Sequence, residues 1–203
     1  MTDMTAPPST PSAADRLARH TARCLSPPVL PVAAGCAVSW HAGRPGYAGL
    51  VWGATAAVCG AVAVAVMALG VRRGWWSDLA LSRRAERPLP LACASAAAAV
   101  VWLVCLRAGA PRDVLVPGAL APAGGAVFVL CTRFGKVSLH TCAAAGSVAL
   151  LALRVDPVCA LLAPLPVAVG WARIRLGAHT PAQVWAGGLL GAGLTVAVLL
   201  IAG

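Results

Sequence analysis

Charge is scarce in this chain. Asp, Glu, Lys and Arg make up 11% of its 203 residues, against about 25% in a soluble domain. An ordinary water-soluble globule is therefore excluded. Acids are scarcer still, 6 against 16 Lys and Arg, so the oxygen ligands that metal-assisted hydrolysis normally draws on are missing. The eight cysteines contain no C-x-x-C pair, and most fall inside apolar runs, where Cys acts as a small hydrophobe. Neither a disulfide framework nor a zinc site is indicated. No internal repeat and no attached soluble domain is visible. The net charge of +10 does not indicate nucleic-acid binding, because no basic module stands apart from the apolar runs. Arg and Lys flanking membrane spans set topology and meet anionic head groups. A cleavable signal peptide is not expected, since the first apolar run begins only near Leu25 and no clear cleavage site follows it.

What fills the sequence is apolar: 60% of residues are hydrophobic, and a membrane helix needs roughly 17–25 of them in a row. Seven segments can be drawn: Pro27–Trp40, Tyr47–Val71, Leu89–Leu106, Val114–Thr132, Leu139–Leu153, Pro157–Ala172 and Pro181–Ala202. The first is short, contains Pro28 and Pro31, and is either a tilted span or a re-entrant piece. The fifth and sixth are also short and are expected deep in the bundle. The expectation is an all-α, polytopic membrane helix bundle of six or seven spans. One integral membrane domain covers residues 25–203, after an N-terminal stretch, 1–24, that is disordered or a basic tail. Within that stretch "RLARHTARC" could form a short basic surface helix. Gly187 and Gly191 form a G-x-x-x-G pair, which reads as close helix packing.

Alternating the spans brings three polar islands to one face. "RRGWWSDLALSRRAERP" follows the second segment, "RFGKVSLHT" the fourth and "RIRLGAH" the sixth. With the N-terminal tail, that face carries twelve of the sixteen Lys and Arg residues. The positive-inside rule makes such a face cytoplasmic. A phosphate site recruits the same residues for its own reasons, so charge alone does not orient the chain.

Each island has a bland and a chemical reading. Thr180-Pro181-Ala182-Gln183 fits a helix start, with Thr180 as N-cap, Pro181 in the first turn and Gln183 closing a capping box. His179 is then an ordinary interfacial histidine. Ser138 precedes the run at Leu139 as an N-cap, with Lys136 before it. His140 lies in the first turn of a buried span, where polar side chains are costly and usually functional, beside amides suited to an anion. Arg83, Arg84 and Arg87 precede Pro88, whereas Arg72 and Arg73 read as topogenic charge, and Trp75 and Trp76 as interface anchors. Together the islands offer two histidines, a serine, a lysine and several arginines. That set suits an anionic substrate handled without metal: arginine presents a planar fork to phosphate oxygens, and histidine serves as nucleophile or general acid near neutral pH.

These islands resemble the motifs of the type 2 phosphatidic acid phosphatases, the lipid phosphatase/haloperoxidase superfamily. The third family motif is Ser-Arg, five residues, His, three residues, Asp; Arg173 and His179 keep that spacing within "ARIRLGAHTPAQVWAG". The second is Pro-Ser-Gly-His, and "VSLHT" retains Ser138 and His140. The first is Lys, six residues, Arg-Pro; Arg87-Pro88 is present, with Ala80 at the lysine position. The resemblance runs from about Trp76 to Gly188, in the family's motif order.

The resemblance implies the phosphatase/haloperoxidase core and a set of roles. His179 attacks phosphorus to form a phosphohistidine, and His140 protonates the leaving oxygen. Arg87, Arg173 and Ser138 hold the phosphoryl oxygens. Lys136 stands in, on charge alone, for the missing first-motif lysine. Gln183 replaces the aspartate that orients the nucleophile, and Ala172 replaces serine. "HTPAQV" resembles the dolichyl-diphosphatase branch, which tilts the substrate towards polyprenyl phosphates or diphosphates. The expectation is a lipid phosphatase of the cell membrane that uses no cofactor or metal and takes a lipid phosphate or diphosphate as partner. Its rivals are a lipid-phosphate-binding or scaffolding relative without turnover, favoured by Ala80 and Gln183, and a small transporter.

Overall fold

Within a bilayer no water is available to bond peptide groups, so an apolar run of Ala, Val and Leu satisfies its backbone internally, as helix. The computed structural model describes residues 11–42, 47–79, 81 and 83–202. Among them there is no strand. Nine α-helices follow in order: α1 (Ala13–Cys24), α2 (Val29–Ala42), α3 (Tyr47–Arg72), α4 (Pro88–Arg107), α5 (Arg112–Gly118), α6 (Leu120–Phe134), α7 (Leu139–Arg154), α8 (Pro164–Arg175) and α9 (Pro181–Ala202). Short 3-10 turns at Arg84–Glu86 and Pro157–Leu162 lead into α4 and α8. Pro122 has no N–H to give the Gly118 carbonyl, and the fourth apolar segment breaks there into α5 and α6.

Among the described residues five helical segments are long and apolar enough to cross a membrane: Tyr47–Arg72, Arg84–Arg107, Arg112–Phe134, Pro157–Arg175 and Pro181–Ile201. They mark an integral membrane protein. The helices α2 and α7 are apolar but shorter. Position explains the brevity of α7: it packs against α9, α2 and α8, and its 16 residues span about 24 Å at 1.5 Å per residue. It approaches α9 most closely at the G-x-x-x-G pair. A Cβ on Gly191 would overlap the Cys142 carbonyl, and one on Gly187 would overlap the Ser138 carbonyl. The glycines thus bring α9 against the start of α7, which carries His140.

Two expectations change. The sixth segment is not deep in the bundle: Leu161 and Val167 on it are 77% and 69% exposed, apolar surface suited to lipid. Trp76 is not an interface anchor. It is 5% exposed, donates its indole N–H to the Met67 carbonyl at 2.9 Å, and packs with Leu81, Leu91 and Phe128; Trp75 remains exposed. The short basic helix expected within the N-terminal stretch is α1, docked on α8. Ser12 and Asp15 close its capping box, Ala18 and Ala22 pack on Ala172 of α8, and Asp15 pairs with Arg175 at 3.1 Å.

Candidate active site

Hydrogen bonds to backbone carbonyls tie the three islands together at one end of the bundle. Arg84 Nε and Nη2 donate to the carbonyls of Thr132 and Arg133, both at 2.7 Å. Arg87 Nε donates to the Leu81 carbonyl at 2.9 Å, and its Nη1 to the Val137 carbonyl at 3.1 Å. Leu81 sits at φ 48, a left-handed conformation that a leucine adopts only when its surroundings over-determine it. The Ser138 amide donates to the Gln183 carbonyl at 3.1 Å, and the Thr141 hydroxyl to the Val184 carbonyl at 3.1 Å. The far end of α7 faces the other way, where Arg154 pairs with Asp113 at 3.5 Å.

The α8–α9 connection follows from one glycine. α8 ends in a Schellman turn: the amide of Ala178 bonds the Arg173 carbonyl at 3.0 Å, and that of Gly177 bonds the Ile174 carbonyl at 2.9 Å. Gly177 takes the left-handed φ of 64 that the turn requires. The chain then folds back, and the His179 amide also reaches the Arg173 carbonyl, at 3.3 Å. Arg173 therefore belongs to the last turn of α8 rather than to a loop, with His179 folded over it.

Gln183 serves both readings of its island. The amide of Gln183 donates to Thr180 Oγ1 at 3.4 Å, and its side-chain Oε1 accepts from the Thr180 amide at 3.3 Å, which is the reciprocal capping box. The same Oε1 lies 3.1 Å from His179 Nδ1. An amide oxygen only accepts, so Nδ1 carries the proton and Nε2 keeps its lone pair. Burial pushes the His179 imidazole down to about 4; the bond to Gln183 opposes this, and the charges of Arg173, Lys136 and Arg87 add to the lowering. His179 is thus neutral at pH 7, in the tautomer of a nucleophile.

His140, in the first turn of α7, is 7% exposed and has no hydrogen-bond partner for its ring among the described residues. Arg173, His179 and Arg87 all lie within its electrostatic range. Lys136, partly exposed, bears on His179. Arg173 is buried, and its Nε has no partner. A buried donor left without an acceptor costs about 1–3 kcal/mol, so an acceptor oxygen on a ligand would be stabilised there. Asp78, which carried no role in the sequence, bears electrostatically on both Arg87 and Arg173. Ser138 is fully buried, and its Oγ accepts from the Thr141 amide at 3.4 Å, which leaves its O–H to donate. Ala80 lies outside the described residues. No group of three metal-ligating side chains occurs among the described residues.

His140 and Arg173 also line a cavity of about 800 Å3 that extends among α2, α3, α4, α6, α7 and α9. Its walls are apolar, with Val38, Met67, Phe128 and Leu150 among them. Arg19 and Arg23 of α1 line it as well; sequence reasoning did not connect them to the site. Their i, i+4 spacing beside the Ser12–Asp15 capping box was the available signal.

Fold and site define an integral membrane helix bundle with a cationic, histidine-bearing pocket at one end, opening on an apolar cavity. The sequence model of the PAP2 superfamily matches residues 114–203, the part of the chain that supplies Lys136, Ser138, His140, Arg173, His179 and Gln183. The match supports the PAP2 superfamily, a family that generally comprises phosphatases. Arg87 and the α3–α4 connection lie outside it. Neither the curated proteins nor the solved structures yield a match.

Proposed function

We propose that the protein is a metal-independent membrane lipid phosphatase, acting on a phosphomonoester or diphosphate of a polyprenyl lipid through a phosphohistidine. The observation that carries this reading is a neutral, tautomer-fixed His179 in one cationic pocket with a buried Arg173 whose Nε has no hydrogen-bond partner. In the first step His179 Nε2 bonds to phosphorus while the bond from phosphorus to the leaving oxygen breaks, and His140 protonates that oxygen. In the second, water attacks the phosphohistidine as His140 takes up its proton, the P–N bond breaks, and inorganic phosphate leaves. Arg87, Arg173, Lys136 and the Ser138 hydroxyl meet the charge on the phosphoryl oxygens, where fixed donors act most strongly on a transition state. The apolar cavity beside His140 takes the isoprenoid chain. We place the enzyme in the cell membrane with α7 as a sixth, buried span, since the chain must cross between the Ser138 and Arg154 ends.

Rapid quenching of turnover with radiolabelled polyprenyl diphosphate tests the mechanism. Protein-bound phosphate that is labile to acid and stable to alkali is expected in the native protein, and none in His179→Ala. Label retained in that variant contradicts the assignment.

A further inference from the structure

Two further cations line the cavity that reaches His140 and Arg173. Arg19 and Arg23 lie one turn apart on α1, which packs against α8, and they line the same cavity as His140 and Arg173. Neither makes an ion pair among the described residues. The helix that carries them is fixed in place: Ala18 and Ala22 pack on Ala172, Leu176 packs beside them, and Asp15 bridges to Arg175. Ala172 directly precedes Arg173, so the docking surface of α1 adjoins the phosphate site. His179 and Arg87 do not line the cavity.

We propose that Arg19 and Arg23 form a second anion subsite, which holds the lipid-proximal phosphate of a diphosphate substrate. The inference rests on the lipid-phosphatase reading and narrows it to diphosphates. The terminal phosphoryl group sits at His179. The second phosphate lies between it and the isoprenoid chain, in the cavity that Arg19, Arg23, Arg173 and His140 line. In the first step the bond between the terminal phosphorus and the bridging oxygen breaks, and the bridging oxygen leaves as part of the lipid monophosphate. The added negative charge develops on that oxygen and its phosphate, where two arginines stabilise it. A monophosphate substrate has no group to place there.

The test compares a polyprenyl diphosphate with the monophosphate of the same chain, in detergent and in vesicles of zwitterionic or anionic lipid. Phosphate release is measured for the native protein, Arg19→Gln, Arg23→Gln, the double variant and Arg19→Lys. Equilibrium binding of both lipids is measured in a His179→Ala background with and without the double change. The double variant is expected to lose at least tenfold more kcat/KM on the diphosphate than on the monophosphate, with Arg19→Lys recovering part of it. The binding preference for the diphosphate is expected to fall in parallel, in detergent as in vesicles. Monophosphate turnover also reports that the variants are folded. Equal losses on both lipids overturn the proposal, and so does a preference that changes only in anionic vesicles, since the arginines then read bilayer phosphate. Absence of release from either lipid, with diphosphate-selective binding still lost in the double variant, contradicts the enzymatic reading and upholds the subsite.

Discussion

Gln183 supports two structures with one oxygen: the start of α9 and the ring of His179. A neutral acceptor there fixes the tautomer without favouring the imidazolium, which agrees with His179 being pushed down to about 4. The sign of the pH effect follows. The neutral, nucleophilic form predominates above about pH 4, so protonation of His179 in the free enzyme is not expected to limit kcat/KM between pH 5 and 8. Gln183→Glu places a negative charge at Nδ1, stabilises the imidazolium, and should move the acid limb of the kcat/KM profile upward. Gln183→Leu removes the acceptor and should lower kcat at least tenfold, with about 1 kcal/mol lost from the helix start, read from kinetics and thermal melts. An unchanged profile in Gln183→Glu contradicts the tautomer argument. In the sequence, the capping box and the histidine partner were competing readings of Gln183. They were inseparable because both use the same i, i+3/i+4 geometry, and the oxygen turns out to serve both.

At the scale of elements, the seven apolar segments correspond to helices because burial in lipid leaves the backbone no alternative. The helix ends were less legible. Apolarity stops at Ala172, whereas the signal that ends α8 is Gly177, two residues beyond Arg175. Gly177→Ala should cost about 1–2 kcal/mol and lower activity as well, since the turn carries His179. The glycines of α9 give a sharper contrast. Gly191 lies against the Cys142 carbonyl and Gly193 faces open space. Gly191→Ala should lower the melting temperature and activity, while Gly193→Ala should be neutral or stabilising, by up to about 1 kcal/mol from helix propensity. Equal effects at the two positions contradict the packing of α7 on α9. Trp76 was misread because its apolar ring fits an interface or a core equally well; only the bare backbone at Gly70, against which the ring lies, decides for the core.

Across the whole molecule, alternation of spans already brought the three islands to one end, and the hydrogen bonds between Arg84, Arg87, Ser138 and their neighbours join them there. The docking of α1 was not legible, because Ala18, Ala22 and Ala172 carry no signal until the chain is folded. In a cysteine-free background, single cysteines at Ser77 and Ala178 should react with an impermeant thiol reagent from the same side of sealed vesicles, and one at Val158 from the opposite side. Labelling of Ser77→Cys and Val158→Cys from one side contradicts the topology. The most direct measurement is phosphate release from a panel of lipid phosphates and diphosphates by the purified protein with chelator present, beside His179→Ala of equal thermal stability. The native protein should release phosphate from a polyprenyl diphosphate and the variant should release none; undiminished release by the variant, or binding without release by the native protein, contradicts the account.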